Sequence, residues 1–242
     1  MHHQGGAMRM DDMSHSDRGT PAESESDLVR LSGREWSIFN HRAAGSFLLF
    51  WGLTALVAGL VWPRQTWWRY VPPFFLLGLA EFLFLRHDPE AWPNGSIGLW
   101  ASLKDPEVFQ HLVFVLLLLV MAIEELLRAG DRLPPILAKY SLPALAVVGG
   151  VYLFFHKHGG AEMEQMMSRM ADPARASSQS MKSMMASMNL VKHQHLWFSV
   201  SGFGLAVAKL LADTGRLKGR LGATLWTLFA ILLGVYMMGY TE

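Results

Sequence analysis

Cysteine is absent from all 242 residues, so neither a disulfide framework nor a thiolate metal site can form. A chain without thiols suits a surface facing an oxidising compartment. Charge is scarce as well: Asp, Glu, Lys and Arg make up 17% of the chain against 51% hydrophobic residues, and the mean hydropathy is positive. That balance belongs to a membrane protein rather than a soluble domain. With a formal net charge of +1 and no dense Lys/Arg block, nothing points to a nucleic-acid partner. A Gly-rich phosphate loop, a Gly-x-Ser-x-Gly elbow and a His-Glu-x-x-His helix are all missing. With no nucleophile to nominate, binding or transport is expected rather than catalysis. Residues 1–40 lack the hydrophobic core of a signal peptide, so the first apolar run is expected to target the chain and stay in the membrane.

Six apolar runs are present, near Ala44–Trp62, Tyr70–Leu85, Leu112–Leu127, Ile136–Phe155, Leu196–Ala212 and Leu221–Tyr240. Their lengths predict an all-α polytopic bundle of about six transmembrane helices in contact with lipid, although the second and third are short for a bilayer core. Pro72 and Pro73 fall in the first turn of the second helix, where a missing donor costs least, and Pro143 is expected to kink the fourth. Basic residues concentrate after the odd-numbered helices: Arg64 and Arg69, then Arg128, Arg132 and Lys139, then Arg216, Lys218 and Arg220. The opposite side has chiefly Arg86 and Lys104, so the positive-inside rule predicts both termini outward, on the periplasmic side of a bacterial inner membrane. Two units are expected: a disordered tail over 1–40 and a helical domain over 41–242, with 156–195 as an outward loop.

That loop is the densest patch of ligand chemistry. It opens with His156 and His158, closes with His193 and His195, and between them repeats Met-x-x-Met-Met-x-x-Met: Met163, Met166, Met167, Met170, then Met181, Met184, Met185, Met188. On a helix each quartet shares one face. Stripes of this spacing commonly pack on a neighbour or lie on lipid headgroups, but a packing face would mix in Leu, Ile or Val, and none takes a turn here. Thioether with imidazole suits copper, Cu(I) especially. In the tail, His3 behind a free amine could chelate Cu(II) through nitrogen, although a random polar tail would look the same.

All ten histidines, His2, His3, His15, His41, His87, His111, His156, His158, His193 and His195, fall in the tail, at outward helix ends or in outward loops. An interfacial preference would populate both faces, so a convergent outward metal site is expected, with His41, His87, His111, His156, His158, His193 and His195 as candidates. Glu81, within the second helix, is a candidate cation or proton site or else a helix tie; Glu124 and Glu125 are expected to pair with Arg128. Ser199, Ser201, Gly202 and Gly204 read as close helix packing.

The motifs Asn40-His41-Arg42-Ala43-Ala44-Gly45, Arg86-His87-Asp88-Pro89-Glu90-Ala91-Trp92-Pro93 and Asp105-Pro106-Glu107-Val108-Phe109-Gln110-His111 resemble those of copper resistance D-like membrane proteins, the CopD/PcoD type. The resemblance covers roughly residues 36–240. It implies copper movement or tolerance at the bacterial inner membrane, often beside a small periplasmic copper-binding protein, with His41, His87 and His111 in the family's motifs. Larger members have more helices than the six counted here, which leaves open whether one chain forms a complete path.

The expected function is therefore copper capture at the outward face for transport or tolerance, with copper held loosely enough that imidazole protonation releases it. Two rivals remain at this stage: a b-type haem carrier with paired histidines such as His41 with His111 or His158 with His195, and an accessory subunit of a homo-oligomer or larger membrane complex with the Met stripes as docking faces.

Overall fold

A computed structural model describes residues 33–61, 65–88, 90–155 and 178–241, and all secondary structure among them is helical. The helices are α1 (Gly33–Leu60), α2 (Val71–Arg86), the single-turn α3 (Leu99–Ser102), α4 (Pro106–Ala129), α5 (Pro135–Phe155), α6 (Ser178–Asp213) and α7 (Gly219–Met238), with a short 3-10 turn over Thr66–Tyr70. Five stretches are long and apolar enough to cross a membrane: Glu35–Leu60, Thr66–Arg86, Pro135–Phe155, Met185–Asp213 and Gly219–Met238. They make this a multi-pass membrane protein. The other long helix, α4, is the one that carries Glu124, Glu125 and Arg128.

Local sequence explains where helices start. Asp105 caps α4 by accepting from the amides of Glu107 (2.8 Å) and Val108 (3.2 Å), with Pro106 in the first turn where no donor is missed. Pro72 and Pro73 open α2 in the same way. Two boundaries differ from expectation. Helix α1 begins at Gly33, inside the stretch expected to be disordered, because Trp36 and Asn40 both donate to the carbonyl of Arg86 at the end of α2 (3.2 and 2.7 Å). Helix α6 begins at Ser178, so the second methionine quartet and His193–His195 lie on a helix continuous with a span rather than in a loop.

The six long helices close a ring in the order α1, α2, α4, α5, α6, α7, and α4 touches α5 least. Glycine sets the closest approaches. A Cβ at Gly45 would lie 2.6 Å from the carbonyl oxygen of Gly234, and one at Gly234 would lie 2.5 Å from the amide of Leu49, so α1 and α7 meet backbone to backbone. Between α6 and α5 the approach is looser, a Cβ at Gly202 standing 3.5 Å from the Cα of Gly150. The core holds Leu48, Trp51, Leu76, Leu142, Phe198 and Leu233, while Phe50, Phe74, Leu116 and Val207 face outward, as lipid contact requires.

At one end the seam between α4 and α5 is clamped by ions. Pro143 lies inside α5 and cannot donate. One residue earlier, Leu142 donates its amide to Glu124 Oε1 (3.1 Å), and Arg128 donates to the carbonyl of Ala138 (2.6 Å). The ion pair thus takes both backbone groups of one turn of α5. Arg128 also lies 3.0 Å from Glu124, 2.8 Å from Glu125 and 3.3 Å from Asp213, which in turn pairs with Lys209 at 2.7 Å. The pairing expected for Glu124 and Glu125 is present, and Asp213 and Lys209 extend it.

Candidate functional site

The opposite end of the ring gathers imidazoles. His41 from α1, His87 at the end of α2, His111 from α4 and His195 from α6 all line one cavity inside the bundle. His87 and His195 are buried. The rings form two pairs, His41 with His195 at 5.7 Å between centroids and His87 with His111 at 6.5 Å.

Hydrogen bonding fixes which nitrogen of three of them is basic. His41 Nδ1 lies 2.9 Å from the carbonyl of Ser37, and His195 Nδ1 lies 2.8 Å from that of Val191. His87 Nδ1 lies 3.0 Å from the carbonyl of Phe84 and 3.2 Å from that of Leu83. A carbonyl only accepts, so each Nδ1 carries a proton, and in the neutral ring the lone pair is then on Nε2. Metal-ligating histidines are oriented by this same second bond. His87 Nε2 is buried and meets no hydrogen-bond partner among the described residues.

Neighbours missed in the sequence shape the site. Tyr240, fully buried just beyond α7, stacks on His41 at 3.9 Å and 19°, and meets His195 edge-on at 5.9 Å. Gln194 exchanges two bonds with Thr241, donating to its carbonyl at 2.7 Å and accepting from its amide at 3.0 Å. The end of α7 is thereby fastened to α6 beside His195. No local pattern marks Tyr240, because its partners lie on α1 and α6.

Several candidates fall elsewhere. His193 is exposed and packs edge-on against Trp197 at 6.1 Å. Alternate residues on a helix point to nearly opposite sides, so His193 and His195 cannot serve one site together. Met185 is exposed and Met188 half-buried; Met181 and Met184 are helical in backbone, so the second quartet does share one face. Glu81 is exposed on the flank of α2 and does not line the cavity. His3, His156, His158, Met163, Met166, Met167 and Met170 lie outside the described residues. The aspartates of the second and third motifs bind backbone amides: Asp88 accepts from Glu90 (2.7 Å) and Ala91 (3.3 Å) in a turn, and Asp105 caps α4.

Among the described residues no three His, Asp or Glu side chains stand close enough to hold one metal ion. A haem plane fits poorly between His41 and His195, whose rings already meet edge to face at 84°. No protein-family model, curated protein or solved structure matches the chain.

Proposed function

We infer that the protein captures copper at the histidine end of its helix ring, for transport or for copper tolerance. The observation that carries this reading is the His41–His195 pair: two imidazoles from different helices, ring centroids 5.7 Å apart, each with Nδ1 tied to a carbonyl of its own helix. Neutral imidazole binds Cu(I) without a buried anion, so the site needs no charge in an apolar wall. His87 and His111 stand beside it as further imidazoles of the same cavity.

The reading places α4 as a sixth span, the histidine end and both termini on the periplasmic side of a bacterial inner membrane, and the Arg128 cluster on the cytoplasmic side. The basic-loop asymmetry supports that orientation. The Met-rich stretch and the tail then gather ions ahead of the pair. Contact between motifs also supports the copper resistance D-like resemblance: Asn40 of the first donates to Arg86 of the second, and His87 of the second meets His111 of the third. A second reading, a subunit of a homo-oligomer or larger membrane complex, is favoured by Glu81, whose exposed carboxylate within a span would be covered by a partner helix.

Purification from copper-supplemented cells in mild detergent, with elemental analysis and a visible spectrum, tests the proposal. At least one equivalent of copper, lost in His41→Ala and in His195→Ala, is expected. Copper-free protein, or a Soret band in its place, overturns the reading.

A further inference from the structure

The cavity below the histidines has a volume of about 150 Å³, the size of a cavity that takes one aromatic ring, which is more than a single metal ion needs. It runs down the ring from His41 to Trp51, about 15 Å at the helical rise, and its walls there are Leu48, Leu79, Leu118, Leu145 and their neighbours. Among the described residues its lining has no Asp, Glu, Lys or Arg. Polar atoms on its lining residues that are buried without hydrogen-bond partners among the described residues include His87 Nε2 and Asn40 Oδ1 at the histidine end, and Trp51 Nε1 at the other. The first two accept and the third donates. The wall between α4 and α5, the sparsest helix contact of the ring, borders the cavity and faces the exposed apolar exterior.

We propose that this cavity binds a membrane-soluble quinol, its hydroxyl head donating to His87 Nε2 and its apolar body lying along Leu48, Leu79, Leu118 and Leu145. An anionic lipid head would need a cation in the lining, and there is none. A bare acyl chain would leave the two acceptors unsatisfied. A phenolic head supplies the donor they lack, and its ring and tail match the aliphatic and aromatic walls. Entry is lateral, from the bilayer, through the α4/α5 seam. The four imidazoles accordingly divide into a copper pair, His41 and His195, and a head-group pair, His87 and His111. The inference stands on the cavity and holds with or without copper.

Equilibrium dialysis of the full chain in mild detergent against a decyl-substituted benzoquinol tests it. Gly149 lines the cavity and a Cβ there meets nothing within 4 Å, so Gly149→Phe fills the space without collision at its base. One equivalent of saturable binding is expected, weakened at least tenfold in Gly149→Phe and in His87→Leu, with copper content unchanged in Gly149→Phe. Leu145→Phe serves if Gly149→Phe does not fold. His41→Ala should lose copper and keep the quinol, which separates failure of the copper reading from failure of this one. Equal binding by all these variants, equally tight binding of decylbenzene, or co-purified haem in the cavity overturns the proposal.

Discussion

Tyr240 lies face to face with His41, 3.9 Å between ring centroids and 19° from parallel, although the two residues stand at opposite ends of the described chain. The contact holds one imidazole of the proposed copper pair in place, and Tyr240 also meets the other edge-on. Both are contacts of its ring. Tyr240→Phe should therefore keep copper affinity, while Tyr240→Ala should lower it roughly tenfold or more, the scale seen when a residue orienting a metal ligand is removed. Competition with a Cu(I) chelator of known affinity reads the difference. Equal affinities for the Phe and Ala variants would remove Tyr240 from the site.

The Arg128 cluster makes a prediction about stability. Removing its guanidinium leaves three carboxylates, Glu124, Glu125 and Asp213, facing Lys209 alone, and frees the carbonyl of Ala138 in α5. Arg128→Met should cost about 3–5 kcal/mol, as breaking a buried ion pair does. Glu124→Gln keeps an acceptor for the amide of Leu142 and should cost nearer 1 kcal/mol. Thermal unfolding in detergent separates the two, and the Arg128→Met loss should shrink when Glu124→Gln is added. Equal small shifts for both variants would mean that the clamp on α5 contributes little.

How far the sequence reached follows from which signals are local. The helices were legible because apolar length is a property of one segment, and the prolines of α2 were legible for the same reason. The meeting of His41, His87, His111 and His195 was foreshadowed only as a shared side of the membrane; which candidates converge depends on helix rotation and ring order, which no single segment encodes. His193 shows the limit: written as one His-Gln-His pair with His195, it is turned away by helical geometry. The start of α6 at Ser178 was missed because methionine, serine and lysine form helix without forming an apolar run. Tyr240, Trp51 and the α4/α5 seam are products of packing between elements distant in sequence.

Close approach between α1 and α7 positions Tyr240 over His41, and Gly45 is where the two backbones meet. A methyl group there would press on the carbonyl of Gly234 and the amide of Met238, each 2.6 Å away, and neither is a flexible side chain. Gly45→Ala should destabilise the bundle by about 1–3 kcal/mol, the usual cost of overpacking, and should weaken copper binding as α7 moves away. Gly98→Ala is the control, since a Cβ at Gly98 meets nothing within 4 Å. Unfolding midpoints and chelator competition on the two variants provide the comparison; indistinguishable behaviour would show that the helices separate at no cost.

The continuity of α6 changes how the Met-rich stretch must be tested. Cutting out residues 156–195 would remove His195 and the Gln194 bonds to Thr241 together with the methionines, so a loss of copper could not be assigned to the thioethers. Replacing Met163, Met166, Met167 and Met170, then Met181, Met184, Met185 and Met188, by leucine preserves apolar volume while removing sulfur. If the stripes gather copper ahead of the histidines, the eightfold variant should keep the tightest equivalent, which belongs to His41 and His195, and lose the weaker ones. His195→Ala should do the reverse. Stoichiometry by elemental analysis at rising Cu(I) resolves both, and unchanged weak binding in the leucine variant would return the stripes to ordinary packing faces.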